Sequence, residues 1–204
     1  MNSSAPFMVS PLAPVMAVLR KDGILVPTDA ALAQALGLTP AALAAQYPSR
    51  EALLLRSLLD DLERQKHDHV HLYAQYPSAV ERLYALINYS IQDLLITSNS
   101  YFTELMQFPA AAQALQDHLA IYSTPQLHQL LNEGIREGLF RSDINIQLVT
   151  IILIQQVTIV LTPDIFPAGS FQVAEIFRSI FLYYIRGLCT EQGAHLAAEH
   201  FARM

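Results

Sequence analysis

The sequence predicts an all-α fold from three observations. Apolar residues recur at steps of three and four through most of the chain. No segment keeps the every-second-residue alternation of a half-buried strand. Ser, Thr, Pro and Gly fall where helices begin and end. The 204 residues suffice for one sizeable domain or two small ones sharing a core. The pattern divides them into a three-helix helix-turn-helix head over 1–48 and a helical body over 49–204.

Residues 1–10 read as a flexible lead-in. A first helix is expected from about 11 to 21, with Pro11 and Pro14 near its start and Gly23 beyond its end. Two short helices follow, at about 28–36 and 40–46. Thr28 caps the first, whose inward stripe is Ala31, Leu32, Ala35 and Leu36, and Gly37 supplies the left-handed residue that stops it. Thr39 and Pro40 restart the chain as N-cap and first helical residue. A long helix begins at Pro48-Ser49-Arg50-Glu51 and runs through Leu54, Leu58 and Leu62 toward His71. Ser78 opens the next, with Val80, Leu83, Ile87, Ile91 and Leu94 on one face. Further helices are expected at about 100–107, 110–122 and 125–137, the last two separated near Pro125. The β-branched run 148–161 reads as a wholly buried helix, and a final helix from about 171 to 188 closes the body.

Composition narrows the function. At 52% hydrophobic and 15% charged residues, the chain is more apolar than an ordinary soluble domain, which points to a surface covered by another chain or to an apolar cavity. A net charge of -6 excludes a protein coated in basic patches, so any nucleic-acid contact is local. The lone Cys189 allows neither an intrachain disulfide nor a cysteine metal cluster. The start lacks the basic and apolar segments of a signal peptide, and the run 148–161 falls short of the ~20 residues of a membrane span. A soluble, cytoplasmic protein without a membrane partner is expected. No serine elbow, phosphate-cradling glycine loop or HExxH pair is present, so neither enzymatic activity nor a cofactor is expected.

The spacing of residues 28–43 is the layout that places a second helix in a DNA major groove. Two blocks then extend the pattern. The first runs from Gly23 through Gly37, Leu38-Thr39-Pro40-Ala41-Ala42-Leu43 and Tyr47-Pro48-Ser49-Arg50-Glu51-Ala52-Leu53. The second is Leu131-Asn132-Glu133-Gly134-Ile135-Arg136-Glu137-Gly138-Leu139-Phe140-Arg141-Ser142-Asp143. In the order and spacing of both, the chain resembles the TetR family of bacterial transcription regulators, and the second block looks like the turn before that family's penultimate helix. The resemblance implies a DNA-binding head, a ligand-binding body, and a homodimer formed by the last two helices. It also implies a ligand-responsive regulator, a repressor, that binds double-stranded DNA and a small apolar or amphipathic effector. The alternative is a helical dimer that kept the body, binds a small apolar ligand or a protein, and no longer reads DNA.

Residues closest to DNA on this reading are Thr28 and Thr39, through hydroxyl and backbone groups, with Gln46, Tyr47 and Arg50. The tyrosine common in the family's recognition helix is Ala44 here, and an arginine position in the preceding helix is Ala30. Residues 1–70 hold six Lys or Arg against seven Asp or Glu, which predicts weak binding with a shallow salt dependence. A cavity in the middle helices is expected near Tyr84, Asn88, Tyr101, Phe102, Met106, Tyr122 and His128, aromatic or polar groups on otherwise apolar faces. His67, His69 and His71 read as imidazoles at an exposed helix end rather than metal ligands, and Asp60, Asp61 and Glu63 as a solvated acidic face. Gln155 and Gln156 are expected to pair across a dimer contact, and the stripe Phe177, Ile180, Phe181, Tyr184, Ile185 and Leu188 to join that contact.

Overall fold

The computed structural model describes residues 10–160 and 172–201. Among them the chain is helical, and its single β-bridge pairs Phe140 with Cys189. The head comprises α1 (Ala13–Asp22), α2 (Asp29–Ala35) and α3 (Pro40–Gln46), and α4 (Arg50–Tyr73) leads out of it. The body continues with α5 (Ala79–Leu95), α6 (Asn99–Leu105), α7 (Pro109–His118), α8 (Thr124–Arg136), α9 (Ile146–Val160), α10 (Val173–Leu188) and α11 (Glu191–Phe201). No helix of the described residues is long and apolar enough to cross a membrane.

The head forms as its punctuation dictates. Thr28 Oγ1 and Thr39 Oγ1 accept the Ala31 and Ala42 N–H groups at 3.2 Å, each filling one of the free donors of a helix start. Gly37 adopts φ +68°, which lets Leu38 N–H reach the Ala33 carbonyl at 2.8 Å and close α2. Leu32, Ala33 and Leu43 pack against Val15, Met16 and Leu19 of α1 and Leu54 of α4. Each large side chain so buried stabilises the head by roughly 1.5–3 kcal/mol. The same apolar cluster continues through Leu58 and Leu62 to Tyr101 and Leu105 of α6 and Ala111 of α7, so the head sits directly on the body.

A second cluster joins α5, α8, α9 and α10 around Leu83, Ile91, Leu131, Phe140, Leu153 and Ile185. The block 131–143 holds it shut. A Cβ on Gly134 would come within 2.1 Å of the Phe140 ring, so only glycine lets that ring lie on α8. Gly138 turns the chain at φ +73°, and Arg141 N–H then bonds the Leu188 carbonyl at the end of α10 (2.9 Å).

Three expectations are corrected. The helices expected at 110–122 and 125–137 are not separated near Pro125: a π-helical turn, Leu119–Ser123, carries the chain from α7 into α8, with Thr124 Oγ1 bonded to the Leu119 carbonyl at 2.8 Å. The helix ending near 188 is not the last, because α11 follows. Thr190 Oγ1 accepts Gly193 N–H at 3.2 Å and starts it. Gly193 weakens the helical signal, but a Cβ there would meet the Leu139 carbonyl oxygen at 2.0 Å. Finally, the run from 148 is not wholly buried. Val149, Thr150 and Leu153 face inward, whereas Leu148, Ile151, Ile152 and Gln155 are exposed. The lead-in 1–9, residues 161–171 and the Phe177 side chain lie outside the described residues.

Candidate ligand cavity and DNA-facing head

The outer face of the helix-turn-helix is nearly featureless. Ala41, Ala44, Ala45 and Gln46 of α3 are exposed, as are Thr28, Ala30 and Thr39. Tyr47 closes α3 with its N–H on the Leu43 carbonyl and packs its ring against the head core. Arg50 turns inward: Nη1 donates to the Ile24 carbonyl at 2.9 Å and Nη2 pairs with Asp29 at 2.7 Å. Arg56 pairs with Asp60, Lys66 with Glu63, and Arg20 and Arg64 with carboxylates between the helices. Of the six cations in residues 1–70, Lys21 alone makes no ion pair among the described residues.

Below the head lies a cavity of about 210 Å³ bounded by α4, α5, α6 and the α7–α8 segment. Its walls follow helical stripes. Leu58, Leu62, Gln65 and His69 succeed one another on α4, while Leu83, Ile87, Ser90, Asp93 and Thr97 do so along α5 and just past its end. Each stripe begins apolar and turns polar, and because the helices run antiparallel, with Asp61 bridged to Asp93 through Arg20 and His69 edge-on to Tyr89, the polar groups of both meet part-way along the cavity.

In this polar stretch Arg20 bridges Asp61 at 2.5 Å and Asp93 at 2.8 Å, and Arg64 joins Asp61 (2.8 Å) to Asp68 (2.6 Å). Burial opposes the charge on Arg20, but Asp61 and Asp93 more than offset it and raise its pKa. Asp61 is therefore a buried partner of two arginines, not part of a solvated acidic face. His69 is likewise buried at 6% exposure, whereas its neighbours His67 and His71 are exposed as expected. It stacks on Tyr122 and Tyr73, and its Nδ1 lies 3.1 Å from the Tyr122 hydroxyl. Burial, aided by nearby His118, pushes its pKa down to about 4, so the ring is neutral at pH 7. Among the described residues no three His, Cys, Asp or Glu side chains are grouped to hold a metal ion.

The seven expected cavity residues separate. Tyr101 and Phe102 line the cavity. Tyr122 stands behind its wall, bonded to the lining residues His69 and Gln126. Tyr84 is buried in the body core outside the lining, and Asn88 is half-buried on α5. Met106 is 48% exposed, and His128 is exposed and paired with Asn132. The sequence reading missed Arg20, Gln65, His69, Ser90, Asp93 and His118. Their signal was available: a polar residue continuing an apolar stripe at a step of three or four faces the interior with the rest of the stripe.

No family model and no curated protein sequence matches the chain. Solved structures do. A proposed transcriptional regulator from Saccharomonospora viridis, in complex with choline, superposes with a TM-score of 0.70 at 15% identity, over 89% of this chain and 97% of that one. The fatty acid degradation regulator FadR from Bacillus halodurans gives 0.63 at 16% identity, over 92% and 98%. FadR from Thermus thermophilus, a TetR-family repressor in complex with lauroyl-CoA, gives 0.55 at 19% identity, over 89% and 95%. The architecture is thus that of a helix-turn-helix head on a helical body. The particular fold is the one adopted by these transcriptional regulators, the last of them a TetR-family repressor, and it is shared across nearly the whole chain.

Proposed function

We propose that the chain is a ligand-responsive, DNA-binding transcriptional regulator, a repressor, that acts as a homodimer and not as an enzyme. The observation that carries this reading is the position of the cavity. Its walls include α4, which enters the head, Arg20 of α1, and α6. On α6, Tyr101, Phe102 and Leu105 face the cavity, while Glu104 accepts the Ile24 and Leu25 N–H groups of the head's α1–α2 loop. A molecule that fills the cavity therefore bears on helices that hold the head, and it shifts the head by its differential affinity for two arrangements. Ligands bound by neighbours of this fold, choline and lauroyl-CoA, agree with an effector site in such a body.

The exposed stripe Leu148, Ile151 and Ile152 of α9, together with the 78% exposed Tyr183 of α10, supports pairing with a second copy. Two heads so joined would address half-sites one DNA turn apart. Titrating the protein with its own upstream DNA and with scrambled DNA tests the reading. Specific binding at least about a thousandfold tighter than to scrambled DNA is expected.

One observation favours a second reading, a dimer that senses a ligand without reading DNA. The head's cations other than Lys21 are internally paired, and α3 shows alanines to the outside. Equal affinity for both DNAs would establish it.

A further inference from the structure

We propose that the cavity takes a compact amine: an apolar or aromatic body, a cationic nitrogen beside Asp93, and an acceptor oxygen within reach of Arg20. The inference rests on the ligand-binding reading above and names the ligand's class. Charge decides it first. Among the described residues, Asp61, Asp68 and Asp93 pair with two guanidinium groups, Arg20 and Arg64, in one connected network, which carries a formal charge of -1. His69 and His118 do not supply the missing positive charge, because burial lowers the pKa of both. Within the network Asp93 is the acid on the cavity wall, with its side chain a quarter exposed against 8% for Asp61. A carboxylate ligand would add a fourth negative charge to this group; an ammonium neutralises it.

The wall beside Asp93 has the matching surface. Tyr89, Tyr101 and Phe102 line it, and the last two rings meet edge to face at 5.2 Å, forming a corner of π-surface suited to a cation. Arg20 adds a donor: its Nε–H is buried without an acceptor among the described residues, although the other guanidinium nitrogens are paired. A volume of about 210 Å³ fits a substituted benzene.

Calorimetric titration of the full chain at neutral pH with 2-amino-1-phenylethanol, 1-phenylethane-1,2-diol and mandelate varies the charge while keeping the ring and the oxygen. The amine is expected to bind at least about tenfold tighter than the diol, with mandelate weakest. Asp93→Asn should bring the amine down to the diol's affinity and leave the diol unchanged. Ser90→Phe, which fills the cavity, should abolish binding of all three. A diol or mandelate that binds as well as the amine overturns the amine assignment and leaves the cavity a ligand site. Amine binding that survives Ser90→Phe overturns it too, by placing the site elsewhere. Binding of none of the three overturns both the assignment and the ligand-binding reading beneath it.

Discussion

The head and the cavity wall make opposite use of polar residues. On the exposed surface of α2 and α3, hydroxyls cap helices and Arg50 braces a loop, which leaves alanines, threonines, Gln34, Gln46 and the Arg50-paired Asp29. Around the cavity, arginines, aspartates and histidines are drawn in from four helices, α1, α4, α5 and α7, and held largely out of water. The head therefore has a recognisable shape with little charge to place against phosphate, while the body has concentrated chemistry without a recognisable motif. Specificity in this molecule is built more heavily inside than outside.

The sharpest way to break that contrast is to remove its central cation. Arg20→Ala takes from Asp61 and Asp93 the nearer of the two arginines they share in a mostly buried site, and a loss of about 3–5 kcal/mol is expected in urea unfolding. Adding Asp61→Asn should restore part of it. A loss below about 1 kcal/mol would mean that water reaches the network and that the cavity wall is as wet as the head.

A pH series probes the same wall through His69. The unfolded chain takes up this proton near pH 6.5, the folded chain only near pH 4. Between those values the unfolded state binds more protons, so stability falls as the pH is lowered, by up to about 3 kcal/mol by pH 4. The lowered pKa of His118 acts in the same direction. In His69→Phe, the slope of stability against pH between 6.5 and 4 should flatten. An unchanged slope would place the titration elsewhere.

The difference in legibility between the two regions has a physical cause. Head structure is local: Thr28, Gly37, Thr39 and Ser49 act on residues three to five positions away, so spacing alone discloses α2, α3 and the start of α4. Cavity structure is not local. Arg20 meets Asp61 and Asp93 across 41 and 73 positions, and His69 meets Tyr122 across 53, distances over which a single sequence gives no pairing signal. The exposed aspect of Asp61 and His69 was inferred from residue type, and the helical stripe overruled it. Arg50 shows the converse error of scale. Its position at the start of α4 was legible, but its engagement by Ile24 and Asp29 was not.

Glu104 joins the two regions, and its removal should affect one more than the other. Its carboxylate accepts two backbone N–H groups, one of them on the buried Ile24. Glu104→Ala should cost about 1–3 kcal/mol. In hydrogen exchange, protection should fall in α1 and α2 while α8 and α10 keep theirs. Uniform loss would show that head and body unfold as one unit.

The smallest expected effect bears most directly on the head. Ala30→Arg places an arginine on an exposed position of α2, where the chain itself has none. If this face lies on DNA, one more phosphate is neutralised, and the slope of log affinity against log salt should steepen by about 0.9. Fold stability should change by less than about 0.5 kcal/mol, because the site is exposed. Asp29 stands beside it, already paired with Arg50, and competition for that carboxylate would free Arg50 as a second cation. A slope increase near two would therefore identify Arg50 as a latent DNA contact held in reserve by Asp29. An unchanged slope would mean that α2 faces away from any duplex and that the head now serves only to seat α4.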